Sequence, residues 1–162
     1  MMEMSISTPR SEGTTFAIYL PSVGEKSIAQ STYKETMVTG KQKNGYILVM
    51  DDEAFIRDLS IEMLGFLGYR VKTCIDGKEA VDLYKAAKVE GNPFSSVIMD
   101  LTIPGGMGGK EAAQLILAFD PAARLIVSSG YSADPAMDDY ESHGFCAAVV
   151  KPYKVEELAK VL

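Results

Sequence analysis

From residue 46 onward, short apolar runs alternate with longer amphipathic stretches. Tyr46–Met50 is continuously apolar and predicts a first strand. Residues 53–67 carry Phe55, Ile56, Leu59, Met63, Leu64 and Leu67 at the three- and four-residue spacing of a helix, and Gly68 supplies its stop. Arg70–Cys74 reads as a second strand, and residues 77–88 as a second helix with Ala80, Val81, Leu83, Tyr84 and Ala87 on one side. Gly91, Asn92 and Pro93 break that helix, and Ser96–Asp100 follows as a third strand. Gly109–Phe119 is a third helix, stopped by Asp120-Pro121. Residues 124–128 form a fourth strand, and Asp134-Pro135 opens a short helix over 135–142 in the favoured N-cap and first-turn positions. Ala147–Val150 is a fifth strand, and residues 154–162 begin a fifth helix.

Strands alternating with helices predict an α/β domain on a parallel sheet, with right-handed crossovers. The continuous apolar runs are those of strands covered on both faces. Ahead of this unit the composition differs. Residues 22–45 are polar and poor in large aliphatics, as in a linker, whereas residues 14–20 form a β-type run ended by Pro21. Residues 2–7 are expected to pair with that run, with 9–13 as the turn. A lone hairpin is marginal in water, so residues 1–21 read as part of something larger.

The polar residues that close the apolar runs carry the chemistry. Asp51 and Asp52 follow the first strand, Asp100 ends the third, Ser128-Ser129-Gly130 ends the fourth, and Lys151-Pro152 follows the fifth. In a parallel α/β sheet all of them gather beyond the carboxyl ends of the strands, where such sheets bind ligands. Carboxylates, a hydroxyl and an ammonium in one place suit a divalent cation and a phosphoryl group. Magnesium takes oxygen ligands, which Asp51, Asp52 and Asp100 supply. Crowded carboxylates resist full ionisation without a cation. Asp100 stands alone on its strand, as suits a nucleophile, with Lys151 and Ser129 to neutralise and hydrogen-bond the transferring group. Each motif alone has a plainer reading: Asp51-Asp52 as a helix cap, Ser128-Ser129-Gly130 as a turn. Their joint order and spacing carry the argument.

Composition narrows the class. The chain has 162 residues, 47% of them hydrophobic, and a net charge of −6, which disfavours a nucleic-acid surface. No apolar run approaches a membrane span, and Met1 to Arg10 lacks the pattern of a signal peptide. A cytoplasmic location follows as the expectation. Cys74 and Cys146 are expected as separate, buried, reduced thiols, and one histidine, His143, excludes a zinc site built on several imidazoles.

Residues 46–162 resemble the receiver domain of bacterial two-component response regulators. The resemblance rests on Ile47-Leu48-Val49-Met50-Asp51-Asp52-Glu53, Val97-Ile98-Met99-Asp100-Leu101-Thr102-Ile103-Pro104, Ser128-Ser129-Gly130-Tyr131 and Val150-Lys151-Pro152-Tyr153. It implies a flavodoxin-like (βα)5 fold with strand order 2-1-3-4-5. It implies Asp100 as phosphoacceptor, and Mg2+ held by Asp51, Asp52, Asp100 and the Thr102 backbone carbonyl. Ser129 would be the switch hydroxyl, Lys151 the phosphate-contacting lysine, and the Lys151-Pro152 bond cis. Such a module catalyses its own phosphorylation and dephosphorylation. Its phosphodonor would be phosphohistidine on a histidine kinase or histidine phosphotransfer domain, or a small phosphodonor.

Three departures from the family pattern stand out. The switch aromatic expected three residues before the lysine is Ala148. The run Gly105-Gly106-Met107-Gly108-Gly109 is one residue longer than the common form, and its flexibility is expected to loosen the third helix. Tyr131 is bulky where the family often has small or charged residues, and is expected to shield the acyl phosphate from water.

Residues 13–21 are similar to the last strand of a histidine-kinase ATP-binding domain. The resemblance implies the tail of a hybrid sensor histidine kinase whose ATP-binding elements lie upstream, so that this chain is expected neither to bind ATP nor to act as a kinase. Three other readings compete. A haloacid-dehalogenase-type phosphatase needs an aspartate where Thr102 stands. A flavin carrier needs a phosphate cradle where Asp51-Asp52-Glu53 stand. The last is a receiver fold used for protein contacts without phosphorylation.

Overall fold

A computed structural model describes residues 4–7, 15–18, 45–130 and 139–162, the first two segments as backbone. The chain divides into two compact units, Met1–Thr36 and Met37–Leu162. In the first, β1 (Met4–Ser7) pairs antiparallel with β2 (Thr15–Ile18), Met4 opposite Ile18. The expected turn at 9–13 and the linker at 22–44 lie outside the described residues.

In the second unit, β3 (Tyr46–Met50), β4 (Arg70–Cys74), β5 (Ser96–Asp100), β6 (Leu125–Ser129) and β7 (Ala147–Val150) form one sheet. All its pairings are parallel, in the spatial order β4-β3-β5-β6-β7. Counted within the unit this is 2-1-3-4-5, as expected. The helices are α1 (Ala54–Phe66), α2 (Gly77–Val89), α3 (Gly109–Phe119) and α4 (Val155–Val161).

Period-two alternation sorts the strand residues onto two faces. Leu48, Met50, Val97, Met99, Leu125 and Val127 pack with Ala80, Val81 and Tyr84 of α2 and with Ala112, Ala113 and Ile116 of α3. Ile47, Val49, Ile98, Ile126 and Val149 pack with Ile56 and Leu64 of α1, Tyr153, and Leu158 of α4. Ile47, Leu48, Val49 and Met50 are all fully buried. Each such side chain contributes roughly 1.5–3 kcal/mol over its exposed state, so β3 is held firmly between the two helix layers.

Local chemistry sets the helix ends. Asp76 caps α2 by accepting from the Glu79 N–H (2.9 Å), while the Glu79 carboxylate accepts from the Ile75 N–H (3.0 Å), one residue before the cap. Gly68 ends α1 at φ +84°, and the Tyr69 N–H reaches back to the Leu64 carbonyl at 2.9 Å. Asp120, beyond α3, accepts from the Tyr84 hydroxyl (2.8 Å) and the Lys88 ammonium (2.6 Å), tying the end of α3 to α2. The Lys88 and Tyr84 hydrogen bonds hold its carboxyl below the usual range.

Several expectations shift. The fourth strand runs one residue later than expected, so Ser128 and Ser129 both belong to it. Of the helix expected at 135–142, residues 135–138 lie outside the described residues. The rest is a 3-10 turn, Tyr140–His143, closed by Gly144 at φ +85°. His143 lies in that turn, half-buried. Cys74 is buried as expected, but Cys146 is exposed. Just before β7 the chain buries Phe145 in the core and leaves the neighbouring Cys146 exposed.

Two glycines of the run serve close packing at the start of α3. A Cβ on Gly108 would lie 2.7 Å from the Leu101 carbonyl oxygen, and one on Gly109 2.6 Å from that of Asp100. The helix start thus packs directly on the backbone that carries Asp100, and these two positions admit no side chain without movement. Gly109→Ala is therefore expected to destabilise the unit by about 1–3 kcal/mol, measured by urea unfolding. A variant as stable as the parent would contradict the close packing.

Candidate functional site

The side-chain alternation that builds the core also builds the site. The row Ile47, Val49 continues to Asp51; Ile98 to Asp100; Ile126 to Ser128; Val149 to Lys151. All four polar residues extend the face that packs on α1 and α4. Asp100 lies in register with Ser128 on β6. The fold therefore converts four apolar rows into one polar cluster at the strand ends.

The ammonium of Lys151 stands 2.6 Å from Oδ2 of Asp51 and 2.6 Å from Oδ2 of Asp100. The side chain of Asp51 is fully buried and that of Lys151 nearly so. Asp51 Oδ1 accepts from the Glu53 N–H at 3.0 Å, and Asp100 Oδ1 from the Thr102 N–H at 3.3 Å. Asp51 Oδ2 receives no well-directed hydrogen bond. Its charge is compensated by the ammonium as an ion pair. Burial pushes the Asp51 carboxyl up from 3.8, and Lys151 only partly offsets this. For Lys151 burial works downward, but the hydrogen bond to Asp100 and the close ion pair with Asp51 outweigh it and raise its pKa above 10.5. The arrangement is a strained excess of carboxylate over ammonium. Carboxylate oxygens of Asp51, Asp52 and Asp100 lie within 4.8 Å of one another, with Asp52 exposed.

Asp52, Glu53, Asp100, Thr102, Pro104, Ser129, Gly130 and Lys151 line a cleft of about 330 Å3. Asp51, Asp52, Asp100, Thr102, Ser129 and Lys151 are thus brought together. Asp51 lies fully buried beside the cleft, paired with Lys151, while Asp52 is exposed at it. Tyr131 lies outside the described residues. The plain reading of Asp51-Asp52 as a helix cap fails, since α1 has Glu53 at its N-cap with no side-chain cap. The Lys151-Pro152 bond is cis, as the resemblance implied.

The sequence model of the response regulator receiver domain matches residues 47–162. The chain belongs to that family. The receiver is 31% identical over 117 residues to the chemotaxis protein CheY of Thermotoga maritima, covering 72% of this chain and 92% of that protein. It is 25% identical over 154 residues to the sensor kinase CckA of Brucella abortus, covering 91% of this chain and 16% of that protein. Among solved structures, it superposes with the CheX–CheY–BeF3–Mg complex from Borrelia burgdorferi at a TM-score of 0.65 and 26% identity, covering 72% of this chain and 85% of that one. The fold is flavodoxin-like, and the protein is a receiver of two-component signalling.

Two features of the receiver escaped the sequence reading. Arg57 donates from one Nη to the carbonyls of Asp51 (2.8 Å) and Asp52 (2.9 Å), pinning the loop that presents both carboxylates. Its signal was a lone arginine in the first turn after an acidic pair. Tyr153 was quoted only as part of a motif, yet its hydroxyl lies 2.7 Å from that of Ser128 in a buried setting.

The ion pair yields a stability test. Lys151→Met leaves Asp51 buried without its cation, a loss of about 3–5 kcal/mol near neutral pH. The folded variant then binds a proton at Asp51 more tightly than the unfolded chain does, so its stability rises as pH falls from about 7 to about 5. Urea unfolding at the two pH values checks this. A loss that stays the same or grows on acidification would contradict the assignment.

Proposed function

We propose that this receiver accepts a phosphoryl group on Asp100, in a magnesium-dependent transfer from phosphohistidine or a small phosphodonor, and changes conformation in response. The observation that carries the reading is the Lys151 ammonium held 2.6 Å from Asp100 in a cleft that also gathers Asp52, Thr102 and Ser129.

The donor set fits magnesium. Three carboxylates converge within 4.8 Å, and Asp51 Oδ2 lacks a directed hydrogen bond. Hard oxygen donors in excess of local positive charge suit a small divalent cation. Asp51, Asp52, Asp100 and the Thr102 carbonyl would hold it, and when bound it neutralises charge on the transferring oxygens.

The chain's own groups account for the rest. A carboxylate oxygen of Asp100 forms the new bond to phosphorus while the bond from phosphorus to the donor nitrogen or oxygen breaks, and the donor leaves with that electron pair. Lys151 turns its ammonium toward the phosphoryl oxygens, and the Ser129 hydroxyl donates to one of them. The exposed Asp52 side of the cleft admits the donor.

The wider setting is also a proposal. Residues 46–162 are the receiver, 22–45 a linker and 1–21 the end of a kinase ATP-binding domain, together the C-terminal part of a hybrid sensor histidine kinase acting in the cytoplasm. The similarity to CckA supports this, since it extends over 91% of the chain and so beyond the receiver. The partners are then a histidine kinase or histidine phosphotransfer domain. No helix among the described residues is long and apolar enough to cross a membrane.

Incubation with magnesium and acetyl phosphate, read by intact mass, tests the central step. One added phosphoryl group is expected, lost in Asp100→Asn and on chelation of the metal. Absence of an adduct under saturating donor would instead favour a receiver fold used for protein contacts alone.

A further inference from the structure

Tyr153 follows Lys151-Pro152 and turns inward. It is 5% exposed and packs with Ile56 and Leu64 of α1, Val149 of β7, and Leu158 of α4. An apolar pocket of this kind is filled equally well by phenylalanine. Here it receives a hydroxyl, 2.7 Å from the hydroxyl of Ser128, with either oxygen able to donate. Ser128 is itself fully buried, in register with Asp100 on one side and Val149 on the other. Two hydroxyls in an apolar core are costly unless each satisfies the other. Their pairing therefore fixes where both strand ends sit.

The same two segments are tied a second time. The Lys151 N–H donates to the Ser129 carbonyl at 2.9 Å. The end of β6, which carries Ser129, and the loop after β7, which carries Lys151, are thus joined by one backbone bond and one buried side-chain bond. Tyr153 lies two residues beyond Lys151, and its partner Ser128 lies in register with Asp100, so the bond spans the two strand ends that carry the ion pair. The ring belongs to the same buried cluster as the fully buried Leu158 of α4. At position 148, by contrast, the side chain is a single methyl group with no rotamer to change.

We propose that the buried Ser128–Tyr153 hydrogen bond is a positioning element that holds Lys151 against Asp100 and carries a change at Asp100 into α4, in place of a relay through residue 148. The inference rests on Asp100 being the phosphoacceptor. When Lys151 leaves the carboxylates for the phosphoryl oxygens, its loop moves, and Tyr153 moves with it. The phenol then shifts against Leu158, so the response appears on the α1 and α4 side of the sheet.

The test uses the full chain with magnesium and acetyl phosphate. Tyr153→Phe keeps the ring and removes the hydroxyl, and Ser128→Ala removes the same bond from the other side. Two quantities are read: the rate of phosphoryl gain by intact mass, and amide hydrogen exchange over 155–161 before and after phosphorylation. Each variant is expected to label about five- to tenfold more slowly, the loss that one buried hydrogen bond implies. Each is also expected to lose the phosphorylation-dependent change in exchange across α4. The double variant recovers stability, because two apolar groups then face each other, but recovers neither rate nor exchange response. Variants that are less stable yet label at the parental rate, with the α4 response intact, would overturn this inference alone. A parental chain that takes up no phosphoryl group would overturn the phosphoacceptor reading and the inference together.

Discussion

A single buried ammonium balances the end of this sheet. Lys151 stands 2.6 Å from both Asp51 and Asp100, and it compensates the charge of the fully buried Asp51, which burial alone disfavours. Two of the unit's five strands end in these acids, and a third leads into the lysine. The positions of β3, β5 and β7 are therefore coupled through one cation as well as through the β6 backbone between them. Removing the cation sets desolvation against the packing of the whole α1 face. The same arrangement makes the site reactive, because an ammonium shared between two carboxylates is available to a third anion.

The surrounding backbone keeps that cluster from relaxing. Arg57 pins the carbonyls of Asp51 and Asp52, and the Thr102 N–H holds the second oxygen of Asp100. Gly108 and Gly109 let the start of α3 press on the carbonyls of Leu101 and Asp100. The site is thus preorganised from three directions: the α1 turn, the α3 turn and the loop after β7. Below it, the Ser128 and Tyr153 hydroxyls replace what would otherwise be plain apolar contact between β6 and that loop.

Much of this was legible in the sequence because period-two alternation and strand-end polarity are local signals. Tyr46–Met50, Ser96–Asp100 and Gly109–Phe119 are found with the bounds the residue pattern implies. Asp51, Asp52, Asp100, Thr102, Ser129 and Lys151 gather because each lies one to three residues beyond an apolar run, and the topology of a parallel sheet does the rest. What stayed hidden depends on contacts distant in sequence. Cys146 sits in an apolar context but is exposed, because the segment leading into β7 buries Phe145 instead. The glycines at 105–109 read as freedom, whereas at 108 and 109 they serve close approach, which only the position of Asp100 in space reveals. Tyr153 and Ser128 are twenty-five residues apart and pair only once β6 and the β7 loop are side by side.

The account's central claim is electrostatic: the two carboxylates hold the Lys151 ammonium more strongly than burial opposes it. The most direct measurement is the 13Cε shift of Lys151 by NMR, followed toward high pH in the metal-free chain. The account predicts that this lysine remains protonated above the ordinary 10.5 while surface lysines titrate. A Lys151 that titrates at or below that value, in step with the others, would contradict it.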